Sequence, residues 1–186
     1  MKHAIRHSRP VLIGTCAFIM LTSASCDSTN DSASPGAAPP PASPAAEPTA
    51  VSFDTVNITF VTSTDSVQMQ AELAERPDQR AFGLMDRDAL PAEAGMVFLY
   101  DDIQSGDTGF WMYRTRIPLD IAYFDGAGTI VAIQQMMPCR SLDPNQCGGY
   151  AAGVPYYGAV EANRGYFARN GISTGDRVII PGRIGG

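Results

Sequence analysis

Along the first folded stretch of the chain, large apolar and polar side chains alternate one for one. Phe53-Asp-Thr-Val-Asn-Ile-Thr-Phe-Val61 is rich in β-branched residues, and Val67-Gln-Met-Gln-Ala-Glu-Leu73 alternates without a break. A period of two sends successive side chains to opposite faces of a strand, so these runs predict a hairpin of half-buried strands across the turn Thr62–Ser66. Arg76–Phe82 carries Pro77 and Asp78 where a first helical turn tolerates them and is followed by Gly83, which predicts a short helix. Gly95–Tyr100 is a compact apolar strand. Leu119–Phe124 and Thr129–Gln134 flank Asp125-Gly-Ala-Gly128 and form the clearest hairpin. Ala159–Glu161 reads as a short strand, Asn163–Asn170 as a helix closed by Gly171, and Asp176–Ile180 as the last strand. The pattern predicts a mainly β (α+β) fold over residues 51–186: one compact, mostly antiparallel domain, barrel-like or sandwich-like, with two short helices.

The stretch Phe110–Asp120 stands apart, because it places the single Trp, two Arg, a Pro and an Asp together. As a strand it would point Phe110, Met112 and Arg114 one way and Trp111, Tyr113 and Thr115 the other. Pro118 has no N–H for a ladder, so that strand ends before it and a new one begins with Asp120 just past the corner.

Composition divides the chain before residue 51. Residues 1–25 combine Lys2, Arg6 and Arg9 with an apolar run from Val11 to Leu21 and the small residues Thr22–Ser25, the pattern of a secretory signal peptide. That run is about half the roughly 20 residues a membrane span requires. Cys26 follows at once and predicts lipidation of the mature N-terminus, although Leu21 stands further from it than the bulky residue of such signals. Plain cleavage after Ser25 is the alternative. Residues 26–50 are nearly all Ala, Pro, Ser and Thr, too poor in apolar surface to offset ordering entropy, and predict a disordered tether. The expected address is the cell envelope, membrane-anchored through the lipid and facing the periplasm or the exterior.

Export would also change the available chemistry. Loss of Lys2, Arg6 and Arg9 leaves 10 basic against 19 acidic side chains, a net charge of −9, which argues against nucleic acid as a partner. The only Lys and both His, His3 and His7, lie in the leader. A processed chain therefore has no Ser-His triad, Schiff-base lysine, P-loop or His-ligated metal site. Of the remaining thiols, Cys139 and Cys147 bracket a Pro- and Gly-flanked loop and are expected to form a disulfide, with Cys26 accounted for by acylation. Six Met remain in the mature chain and raise Cu(I) binding as one alternative. Met85, Met96 and Met112 sit inside apolar runs, where Met fills core gaps. The acidic loops lack calcium-loop spacing. No metal or cofactor is expected.

Gly83-Leu-Met-Asp-Arg87, Gly95-Met-Val-Phe98, Phe110-Trp-Met112 with Thr115, Ile117-Pro-Leu-Asp120, Val160-Glu161 with Gly165, and Gly171-Ile172 with Gly175-Asp176 follow in an order that resembles the "domain of unknown function 192" family. The resemblance covers residues 53–181. It implies the fold and, since many members are exported or lipid-anchored, the address; it supplies no accepted reaction. Where the family often has Lys-Asn before the Thr, this chain has Tyr113-Arg114. The family blocks leave Arg87, Thr115, Asp120 and Glu161 as polar groups in apolar surroundings, so Arg87 is expected to meet Asp120 or Glu161. Three readings follow. The polar groups form an internal network that ties down turns; or, with Trp111 as floor, they bind a small polar ligand or an envelope protein; or Asp120 and Glu161 act as acid and base of a hydrolase on glycan-like substrates. The expected function is that of a non-catalytic binding or structural domain, working as a monomer.

Overall fold

The computed structural model describes residues 50–185. The expected signal peptide, Cys26 and all of the tether but its last residue, Ala50, lie outside the described residues. The strands are β1 (Asp54–Val61), β2 (Ser66–Ala74), β3 (Ala94–Gln104), β4 (Phe110–Trp111), β5 (Leu119–Phe124), β6 (Ile130–Met136), β7 (Gly149–Tyr150), β8 (Tyr156–Asn163) and β9 (Arg177–Ile179). Two short helices, α1 (Pro77–Phe82) and α2 (Tyr166–Arg169), interrupt them. Seven strands form one curled sheet in the order β6-β5-β8-β3-β2-β1-β9, a half-barrel, while β4 and β7 pair as a small separate ribbon. The fold is therefore the mainly β, single compact domain that the alternation predicts.

Both expected hairpins are present, β1 on β2 and β5 on β6. Every pairing in the main sheet is antiparallel except β2 with β3. A parallel pair cannot be joined by a tight turn, so the chain crosses over from Ala74 to Ala94 through α1 and an irregular segment that delivers Leu84 to the sheet.

The register assigns side chains to two faces. Leu73, Val97, Val160 and Ala122 stand side by side across four strands, and their face packs with Ile58, Phe60, Tyr166, Phe167 and Val178. Phe98, Ala159 and Tyr123 form the neighbouring row on the opposite face, covered by Leu84, Met112 and Ala152. Phe110 of β4 sits edge-on to both Phe98, at 4.8 Å, and Tyr123, at 5.7 Å. The strands β5 and β8 and the first half of β3, through Leu99, are buried on both faces for this reason, and their sequences read as apolar runs.

Two expectations are corrected. The strand expected across Phe110–Ile117 stops at Trp111, because Arg114 takes a left-handed φ of 56°, which no strand accommodates. The helix expected over Asn163–Asn170 is a single turn, since β8 extends through Asn163 and Gly165 at φ 79° breaks the path before Tyr166.

Candidate functional site

The two carboxylates proposed from sequence as an acid–base pair stand on opposite faces of the sheet. Asp120 is directly opposite Ala162 and Glu161 directly opposite Ile121 on the paired strands β5 and β8, so one residue of register separates them and their side chains diverge. Asp120 is buried, and its Oδ2 accepts the backbone N–H of Gly165 at 2.8 Å. It thereby holds the left-handed glycine that opens α2. Its Oδ1 has no partner among the described residues, and burial raises its pKa, opposed by the Gly165 N–H.

Arg87 meets neither of them. Its guanidinium forms a fork with Glu72 of β2, with N–O distances of 2.7 and 2.5 Å, both side chains about one quarter exposed. The sequence expectation of an Arg87–Asp120 or Arg87–Glu161 pair is thus corrected. Glu72 occupies the same cross-strand row as Glu161, with Met96 of β3 between them, and it stands nearer the crossover that carries Arg87.

Glu161 lies at the foot of a slot on the covered face. Phe98, Phe110, Trp111, Thr115 and Glu161 line it together with the stretch Arg80–Met85, and its volume is about 20 Å³. Glu161 is 5% exposed, and no hydrogen bond or ion pair reaches its carboxyl among the described residues. Burial alone pushes its pKa up to about 8, so the group is mostly neutral at pH 7. Thr115 is buried beside it, and its hydroxyl makes only a long 3.5 Å contact with the Tyr113 carbonyl. Trp111, by contrast, is 43% exposed, with the Tyr113 ring 5.5 Å away. Three of the five sequence candidates, Trp111, Thr115 and Glu161, therefore converge, while Arg87 and Asp120 serve elsewhere.

The crossover forms one wall of this slot. Gly83 ends α1 at φ 51°, a left-handed value that favours glycine, and lies beside the Phe98 ring. Arg80 also borders the slot, but its guanidinium donates to the carbonyls of Leu99, at 3.0 Å, and Glu75, and lies 4.8 Å above the Tyr100 ring.

The rim is fixed by a reciprocal contact that sequence reasoning missed. Asp86 and Arg114 both adopt left-handed backbone, with φ of 60° and 56°. The Asp86 N–H donates to the Arg114 carbonyl at 2.9 Å, and the Arg114 and Arg116 guanidiniums both donate to the Asp86 carboxylate. Beside it, Cys139 and Cys147 form the expected disulfide, with Cα atoms 5.6 Å apart. The Cys139 N–H donates to the Met112 carbonyl at 3.2 Å, and the Tyr113 hydroxyl to the Leu142 carbonyl at 3.4 Å. Between these loops runs an open groove of about 470 Å³ that includes Asp86, Tyr113, Arg114, Arg140 and Leu142 and shares Thr115 with the slot. Spacing could have joined Asp86 to Arg114 only if the turn at Arg114 were visible, and nothing in the local sequence marks it.

No cluster of three or more His, Cys, Asp or Glu side chains able to hold a metal occurs among the described residues, and no helix there is long and apolar enough to cross a membrane. No curated protein matches the chain. Solved structures resemble it, two crystal structures among them. One is a protein of Sinorhizobium meliloti 1021 described as a "putative transcription regulator", 29% identical, with a TM-score of 0.62 over 70% of this chain and 96% of that one. The other is a protein of unknown function from Novosphingobium aromaticivorans DSM 12444, 32% identical, with a TM-score of 0.60 over 75% of this chain and 94% of that one. The signature of the DUF192 family, described as "Uncharacterized ACR", matches residues 59–180, which takes in the crossover, the Trp111 turn and Glu161. The chain belongs to the DUF192 family.

Proposed function

We propose that this protein is an exported, lipid-tethered envelope component whose β domain binds a small polar ligand at the Trp111–Thr115–Glu161 slot and carries out no reaction of its own. One observation carries the reading. A buried carboxyl without a partner stands at the foot of a slot whose mouth holds an exposed Trp, and burying such a group costs stability that a purely structural role would not require. Its elevated pKa fits a binding or reacting group. The divergence of Asp120 from Glu161 removes the two-carboxylate geometry that glycoside hydrolysis uses. The leader, Cys26 and the Ala/Pro/Ser tether support the address, and the Cys139–Cys147 disulfide is compatible with an oxidising compartment.

A thermal-shift screen of the mature chain against sugars, small carboxylates, amines and Cu(I) tests the binding claim. The expected result is a stabilising hit that W111A abolishes while the variant keeps its fold; hits that W111A leaves intact would overturn it. Mass spectrometry of the protein from membranes tests the anchor, which an unmodified N-terminus at Cys26 or Asp27 would refute.

A further inference from the structure

We infer that the slot recognises a primary ammonium group, the head of a small alkylamine, with Glu161 as its counter-charge and Thr115 as an additional acceptor. The inference rests on the slot being a binding site, as proposed above, and specifies what enters it. Size comes first. A volume of about 20 Å³ admits a head of one heavy atom, an ammonium or a hydroxyl, and excludes a carboxylate, a sugar ring or a phosphate.

Polarity then separates the two remaining heads. Glu161 and Thr115 are the side chains at the slot that can accept a hydrogen bond, and neither has a firm partner of its own. An ammonium offers three donors and, unlike a hydroxyl, a charge that a deprotonated Glu161 can balance, while the Thr115 hydroxyl accepts beside it. The rings of Phe98, Phe110 and Trp111 supply the remaining walls with Leu84 and Met85, and aromatic surroundings favour a cation. Arg80, the slot's own cation, is engaged by the Leu99 and Glu75 carbonyls and by Tyr100, and so does not neutralise Glu161. The chain's formal net charge of −6 draws cations rather than anions toward it. The alkyl tail would leave past Trp111, whose exposed ring stands at the mouth beside Tyr113.

The proton balance follows. The free carboxyl is mostly protonated below pH 8. When the ammonium binds, the carboxyl O–H bond breaks, the proton goes to solvent, and an ammonium–carboxylate pair remains; nothing is oxidised or reduced. Affinity should therefore rise about tenfold per pH unit up to roughly pH 8 and then level, while the amine itself stays charged.

Isothermal titration of the mature full-length chain with n-butylamine and 1-butanol, from pH 6 to 9 in buffers of different ionisation heat, tests this. The expected result is millimolar binding of butylamine, nearly one proton released per amine at pH 7 and below and about half a proton at pH 8, and at least a tenfold loss in E161Q. T115V, which removes an acceptor and keeps the shape, should weaken the amine several-fold. Binding of butanol in preference to butylamine, or amine binding with no proton released, would overturn the ammonium assignment and leave the slot as a site for neutral ligands. Failure of both probes to bind the wild-type chain, with no W111A-sensitive hit in the wider screen, would overturn both readings.

Discussion

Glu72 and Glu161 occupy one cross-strand row, yet only Glu72 has a cation, because the crossover carries Arg87 past the edge of that row nearer β2. The Arg87–Glu72 fork is half-buried, so removing one partner strands a charge whose desolvation is no longer offset. R87M should cost about 1–3 kcal/mol in urea unfolding, and the double change E72L/R87M should recover most of it. A double-mutant cycle checks this, and additivity of the two single changes would refute the coupling. The Asp86–Arg114 contact is more exposed, and the ion pair itself should contribute under about 1 kcal/mol. Its backbone matters more. D86N keeps a residue that tolerates φ of 60° and should be nearly neutral, whereas a β-branched D86V should cost about 1–3 kcal/mol, again read by urea unfolding. At this scale the sequence disclosed three of the four buried polar side chains, Thr115, Asp120 and Glu161; it missed Gln79 and counted Arg87 with them, although Arg87 is about one quarter exposed. It did not disclose partners, because Arg87 lies in an irregular crossover whose path local patterns do not encode.

Elements read from alternation survived best. The β1–β2 and β5–β6 hairpins follow directly from a period of two with a turn between, and α1 follows from Pro77 and Gly83. The strand expected over Phe110–Ile117 did not, because its alternation is that of a two-residue ribbon followed by a left-handed turn, and only the pairing of Trp111 with Gly149 reveals where the ribbon stops. The disulfide loop backs that turn through the Cys139 N–H to Met112 O hydrogen bond. Replacing both cysteines by Ser should lower stability by about 2.5 kcal/mol from loop entropy. It should also raise amide exchange at Tyr113–Arg116, measured by hydrogen–deuterium exchange, while β5 and β8 remain protected. Equal loss of protection throughout the sheet would show that the loop braces the whole domain rather than the rim.

For the whole molecule, the sequence revealed a β domain and an acidic chain, while the placement of Asp120 and Glu161 on opposite faces needed the strand register. A one-residue offset between two strands decides whether two acids can cooperate, and no single run of letters carries it. The same register leaves Glu161 unpaired in the slot, which makes whole-domain stability depend on pH with a definite sign. The folded pKa of about 8 lies above the ordinary value of 4.5, so the folded state holds a proton that the unfolded chain releases. The contribution is complete below about pH 4.5, declines between 4.5 and 8 at up to about 1.4 kcal/mol per unit, and is gone above 8. Asp120, whose pKa is also raised, acts in the same direction from the lower end of that window, while Glu75, held low by Arg183, acts in the opposite direction in the acid range. Urea unfolding of wild type and E161Q at half-unit steps from pH 5.5 to 8.5 isolates Glu161. The account predicts that wild-type stability falls through this range while E161Q stays nearly level; parallel curves for the two proteins, or a wild-type stability that rises with pH, would contradict it.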